Sequence, residues 1–214
     1  MMMLPRPKGH RAAQPSLSDA VVRYQMVLGN PRSFVCFSIV FLEGLAIYGI
    51  MPFIGEHLRS RGAGGLREAG FVIGGLGIGG LLYAFAVPLI LKVANRPAMM
   101  AAGGCVAAMG LATTGWEVIW PAQMASMVVL GFGFFLLHNS VQTEVTELAP
   151  SARASSFSLH AFSFFLGQAL GPVAYGVALP LAGATISLAG GASVLAATGV
   201  LASVLLRPRP RGGA

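Results

Sequence analysis

Apolar residues in this chain fall into six runs, only the first of them interrupted by an acid, separated by short polar gaps. The runs cover residues 34–54, 69–91, 98–115, 121–142, 157–179 and 185–206. Each is 18 to 23 residues long and short of charge, and a helix needs about 20 apolar residues to cross a bilayer. The pattern predicts six transmembrane helices. A membrane barrel would instead show alternating segments of about ten residues. The gaps 116–120 and 180–184 are so short that helices three and four, and five and six, are expected as tight antiparallel neighbours. Trp116 and Trp120 flank the first of these gaps, at the level where aromatic belts meet water. The longest gaps are 55–68 and 143–156.

Composition agrees with the pattern. The chain has 214 residues, of which 55% are hydrophobic and 10% charged, with a mean hydropathy of +0.74. Soluble domains carry about 25% charged residues, and disorder requires low hydrophobicity; both classes are excluded. The expected fold is an all-α, polytopic membrane protein. A net charge of +7 raises nucleic-acid binding, but the basic residues sit at the termini and in the gaps, with no basic stretch interleaved with aromatics. No nucleic-acid partner is expected. Cys36 and Cys105 lie inside apolar runs and read as small buried hydrophobes. No metal-ligand spacing such as HExxH occurs, and no cofactor or metal is expected.

The positions of the positive charges set an orientation. Eleven Lys and Arg fall on the side of the termini and three, Arg59, Arg61 and Arg67, on the other. Cytoplasmic loops carry the excess, so both termini are expected in the cytoplasm. Residues 1–32 lack the apolar core of a cleavable signal peptide. The chain therefore divides into a basic, linker-like cytoplasmic segment (1–33), a six-helix membrane domain (34–206) and a basic cytoplasmic tail (207–214).

Glu43 is the one acid within an apolar run, about 14 Å in at 1.5 Å per residue. Insertion scales set the cost of an acid at that depth at about 2.5–3.5 kcal/mol, and such residues are functional by default. Cys36, Glu43, Ile47 and Ile50 share one helical face, which should look inward. Two readings stay open: a carboxylate that couples proton and substrate, or a protonated acid hydrogen-bonded to a neighbouring helix. The second helix carries Gly70/Gly74 and Gly75/Gly79, two GxxxG pairs that let backbones approach closely. On the fourth, Met124, Gly131 and His138 form a stripe, and His138 and Gln142 an i,i+4 pair. These residues either line the inner mouth of a cavity or mark a solvated helix end. Glu144, Glu147 and Arg153 follow, as solvated charges or as a gate-type ion pair.

Enzyme and channel alternatives fail on order and motif. An intramembrane serine protease needs its nucleophile before a histidine in a later helix. Ser193 follows every histidine of the chain and lacks the next glycine. The single Asn-Pro, Asn30-Pro31, precedes Arg32 rather than the alanine of a water channel. No enzyme activity is expected.

The stretch from Leu130 to Gly176 resembles the fourth and fifth helices of the C-terminal half of major facilitator superfamily transporters. The matching elements are Glu147-Leu148-Ala149-Pro150-Ser151-Ala152-Arg153 and Gly167-Gln168-Ala169-Leu170-Gly171-Pro172, closing with Gly176. The likeness is greatest to the bacterial drug and sugar efflux branch, proton antiporters of the inner membrane. It extends weakly over residues 30–206. At Lys92-Val93-Ala94-Asn95-Arg96 the acid and glycine of the family's cytoplasmic turn are missing.

The resemblance implies two inverted three-helix repeats and multi-pass residence in a bacterial plasma membrane. It implies that helices one and four line the substrate cavity. Glu43 would then couple protons to a small solute, with Cys36, Ile47, Ile50, Met124, His138 and Gln142 as lining candidates. Helices two and five would face the other half through Gly70, Gly74, Gly75, Gly79, Gly167, Gly171, Pro172 and Gly176. Family members join two six-helix halves, which implies a partner here: a separate N-terminal half or a second copy. Without one, the implied alternative is an inactive truncated fragment or a membrane interaction module.

Overall fold

Side-chain caps and prolines start most of the helices, as the dipeptides Asn30-Pro31 and Arg96-Pro97 foreshadow. A computed structural model describes residues 16–116 and 119–207. The basic residues Arg6, Lys8, Arg11, Arg209 and Arg211 lie outside that range. Helix α1 (Leu17–Leu28) opens with a reciprocal cap between Ser16 and Asp19. In α2 (Pro31–Ser60) the Asn30 side chain accepts from the Arg32 amide. The α3 helix (Leu66–Val93) begins where the Glu68 carboxylate accepts from the Gly65 amide at 2.8 Å. In α4 (Arg96–Thr114) Asn95 caps the Ala98 amide, and α5 (Trp120–Glu147) carries Pro121 in its first turn.

After a short 3₁₀ turn, Pro150–Ala152, helical backbone runs from Arg153 to Leu205, interrupted at Gly183 with φ 77° and ψ 166°. Only glycine adopts that conformation readily, so residues 153–182 form α6 and residues 184–205 form α7. The two arms fold back on each other, because the Tyr175 hydroxyl lies directly against Gly191. Among the described residues the fold is all helical, and five helical segments are long and apolar enough to span a membrane. The last of them, Pro150–Leu205, contains both α6 and α7.

Several boundaries differ from the expected gaps. Helix α2 continues past residue 54 to Ser60, because buried Ile54 and Leu58 carry the inward face another turn. Likewise α5 runs on to Glu147, with Val141, Glu144 and Val145 all buried. The α6–α7 break is one glycine rather than five residues. Helix α1 has no counterpart among the apolar runs, since its 12 residues are too few to span and follow a proline-rich stretch.

Helix α2 is irregular midway. Residues Gly44–Tyr48 form a wide π-helical turn, and Met51–Phe53 a 3₁₀ turn. Pro52 has no amide hydrogen to donate and its ring crowds the carbonyl four residues back, while Gly44 and Gly49 weaken the helix between. The two glycines also set the packing. A Cβ on Gly44 would meet the Phe164 carbonyl, one on Gly167 would meet that of Phe41, and one on Gly171 would lie 2.7 Å from Gly49 Cα. So α2 and α6 touch backbone to backbone. An equivalent contact joins α3 to α5, where Gly75 and Gly79 face the Met124 and Val128 carbonyls and Gly131 faces that of Leu76.

Among the described residues two large apolar cores fill the bundle, beside a small third cluster of Tyr83, Met99 and Leu136. One, around Ile47, Ile50, Leu111, Met127, Leu130 and Leu195, occupies the middle and the end holding residues 55–66. The other, around Cys36, Val40, Met100, Leu137, Val141 and Ala202, lies toward the charged end of the bundle, which holds Arg32, Arg96, Glu144 and Leu206. Outside the cores, α3 and α6 leave broad apolar faces uncovered, including Leu81, Phe85, Phe162, Phe165 and Val173.

Candidate functional site

Glu43 sits on α2 at the junction of the two cores, fully buried, immediately before the π-helical turn. Single π turns recur at functional sites. Its Oε2 lies 2.7 Å from Nδ1 of His138 on α5. One proton joins them in either of two states: on the carboxyl, donated to Nδ1, or on Nδ1, donated to the carboxylate. His138 Nε2 in turn lies 3.3 Å from Nε2 of His160 on α6. Three helices thus meet at a chain of three ionisable groups.

The surroundings are aromatic. His138 has its ring 4.9 Å from those of Phe134 and Phe164. Tyr48 closes the group, 5.5 Å from Phe164 and 6.1 Å from Phe134. Such walls exclude water, and a hydrogen bond is stronger at low dielectric. Glu43 Oε1 and His160 Nδ1 have no hydrogen-bond partner among the described residues.

The expected residues distribute unevenly around this centre. Cys36, Ile47 and Ile50 share the buried face of α2 with Glu43, but Cys36 packs in one core and Ile47 and Ile50 in the other. His138 is not at a solvated helix end: α5 continues nine residues beyond it, and its side chain is 12% exposed. Gln142 lies one turn nearer the charged end, half-buried. Met124 is on the same stripe, yet packs against α3 about 21 Å away along the helix. Gly75, Gly79, Gly167 and Gly171 are in helix contacts within this bundle, whereas Gly70 and Gly74 face open space. Pro172 is half-buried, and a Cβ on Gly176 would lie 3.6 Å from the Phe53 ring.

A second polar centre closes the charged end. Glu144, 4% exposed, bonds Arg32 at 2.9 Å and Arg96 at 2.6 Å, and Arg96 reaches Glu147 at 3.3 Å. Glu144 and Glu147 lie in the last turn of α5 and Arg96 in the first of α4, each against its own helix dipole. Pairing offsets that. Arg32 also donates to the Leu206 carbonyl, and the Asn30 amide donates to that of Leu148 at 2.9 Å. Four helix ends, those of α2, α4, α5 and α7, are fastened here. Glu147 therefore pairs with Arg96 and not with Arg153, because α5 runs straight on and turns Glu147 toward α4. Arg153 begins α6, is exposed, and makes no ion pair among the described residues. Pro150 opens the short turn before it.

His160 is the site residue that the sequence reading misses. Its signal is an ionisable group inside the fifth apolar run, the same signal that singles out Glu43.

Long apolar helices, glycine contacts and a buried ionisable chain define a polytopic α-helical membrane protein of the transporter class. The chain belongs to the Major Facilitator Superfamily, whose family model matches residues 1–172. Members of that family are membrane transporters that handle small solutes. Among curated proteins, none matches the chain.

Proposed function

We propose that this bundle moves a small solute across a membrane by alternating access, coupled to protons through Glu43, in the direction of efflux. The observation that carries the reading is the Glu43–His138 pair, buried between α2 and α5 at 2.7 Å. A carboxyl held in apolar surroundings is costly to charge, so gaining or losing its proton can favour one arrangement of the helices over another. Its unpartnered Oε1 suits a cationic or amphipathic solute with an N–H to donate.

The charged end is the cytoplasmic one on this reading, supported by the eleven-to-three distribution of Lys and Arg, and a bacterial plasma membrane is the setting. Inverted repeats are supported by the glycine contacts. Exchanging α2 with α5 and α3 with α6 turns the α3–α5 contact into the α2–α6 contact, and both are built on glycines. The open faces of α3 and α6 suit a second six-helix unit, either an N-terminal half or another copy.

The test is accumulation of a fluorescent organic cation by vesicles containing the protein and an acidic lumen. Uptake that a protonophore abolishes is expected. No uptake of organic cations or neutral sugars under either gradient, alone or with a partner half, would contradict the reading.

A further inference from the structure

We infer that His138 and His160 form a proton wire that connects Glu43 with water at the charged end; this rests on the proton-coupled reading above. Measured from the helix ends at 1.5 Å per residue, Glu43 lies about 18 Å from the charged end, His138 about 14 Å and His160 about 10 Å. The contacts of 2.7 Å and 3.3 Å join them in that order. The wire therefore steps toward one face of the membrane and no other. It also changes helix twice, from α2 to α5 to α6.

The proton balance closes on these atoms. In the loaded state the Glu43 carboxyl donates to His138 Nδ1, His138 Nε2–H donates to His160 Nε2, and His160 carries its hydrogen on Nδ1. Transfer breaks the Glu43 O–H bond and forms Nδ1–H on His138. The Nε2 hydrogen of His138 passes to Nε2 of His160, and the Nδ1 hydrogen of His160 leaves to water. Glu43 is then a carboxylate, both histidines end neutral, and one proton has moved outward. His160 Nδ1 is the terminal atom that this scheme needs free, and it has no partner among the described residues.

Among the described residues, few other ionisable groups face the wire. Tyr48 on α2 is the one beside Glu43. From α5, Glu144 is taken by Arg32 and Arg96 at the charged end. Phe157, one turn nearer that end on α6, stacks on His160 at 5.8 Å. His160 itself is buried, so release of its proton to water requires the side chains around it, Phe157 among them, to move.

The test is hydrogen–deuterium exchange at the Glu43 carboxyl, followed by infrared spectroscopy of the full chain in lipid after a switch to heavy water. The band belonging to Glu43 is the one absent from Glu43→Gln. Losing a positioned proton carrier costs about a hundredfold in rate, so His160→Gln should slow exchange by about that factor. His160→Ala should be as slow, and imidazole added to the buffer should restore its rate. Exchange at the wild-type rate in both variants would overturn the wire, and the proton-coupled reading would still stand if organic-cation uptake requires Glu43. A Glu43 carboxyl that never carries an exchangeable proton would overturn both. Retained helicity and a single chromatographic peak check folding, and imidazole rescue separates relay from structural damage.

Discussion

Gly167 of α6 lies so close to α2 that a Cβ placed on it would collide with the carbonyl of Phe41. Backbone contact of this kind brings helices together without large side chains, which matters where lipid removes the hydrophobic drive between helices. It also holds α6 where His160 can meet His138. Overpacking in a tight core costs about 1–3 kcal/mol, so Gly167→Ala should lower the stability of the protein in detergent by that order. At Gly70 a Cβ would meet nothing within 4 Å, and Gly70→Ala should be neutral or stabilising by up to about 1 kcal/mol, as alanine replaces glycine in a helix. Thermal melts of the two variants side by side check the contrast.

Glu144 and Glu147 lie one turn apart and should differ sharply. Removing one partner from a buried ion pair costs about 3–5 kcal/mol, and Glu144 is buried between two arginines. Exposed pairs contribute about 0–1 kcal/mol, and Glu147 is 55% exposed. Glu144→Gln should therefore destabilise the bundle by a few kcal/mol and Glu147→Gln hardly at all, measured by denaturation in detergent. Equal effects would mean that the charged end is not held by Glu144.

Orientation can be read with cysteines. In a background with Cys36 and Cys105 replaced by alanine, Ser60→Cys marks one end and Ser151→Cys the charged end, both exposed positions. A membrane-impermeant thiol reagent applied to intact cells should label Ser60→Cys. Ser151→Cys should react only after permeabilisation. The reverse pattern would invert the assigned topology.

The apolar runs are legible because lipid demands contiguous apolar helices, which leave an unmistakable mark in one dimension. Glycine carries less. Gly70/Gly74 and Gly75/Gly79 read alike in sequence, but only the second pair faces α5. Met124 and His138 show a related limit: periodicity places both on one face, yet says nothing of the depth at which a partner crosses that face. Pairing Glu43 with His138, 95 positions apart, requires the helix crossing itself. The charge network at Glu144 is hidden for a simpler reason. Its helix continues beyond the membrane-length run, so residues expected in a loop project toward α4.

The most direct test of the central claim compares two modes of transport in one variant, Glu43→Gln, reconstituted in vesicles. Exchange of labelled for unlabelled organic cation needs helix rearrangement but no net proton movement, whereas accumulation against a gradient needs both. If Glu43 couples protons to transport, the variant keeps exchange and loses proton-driven accumulation. Accumulation at the wild-type level would show that Glu43 does not couple protons to transport.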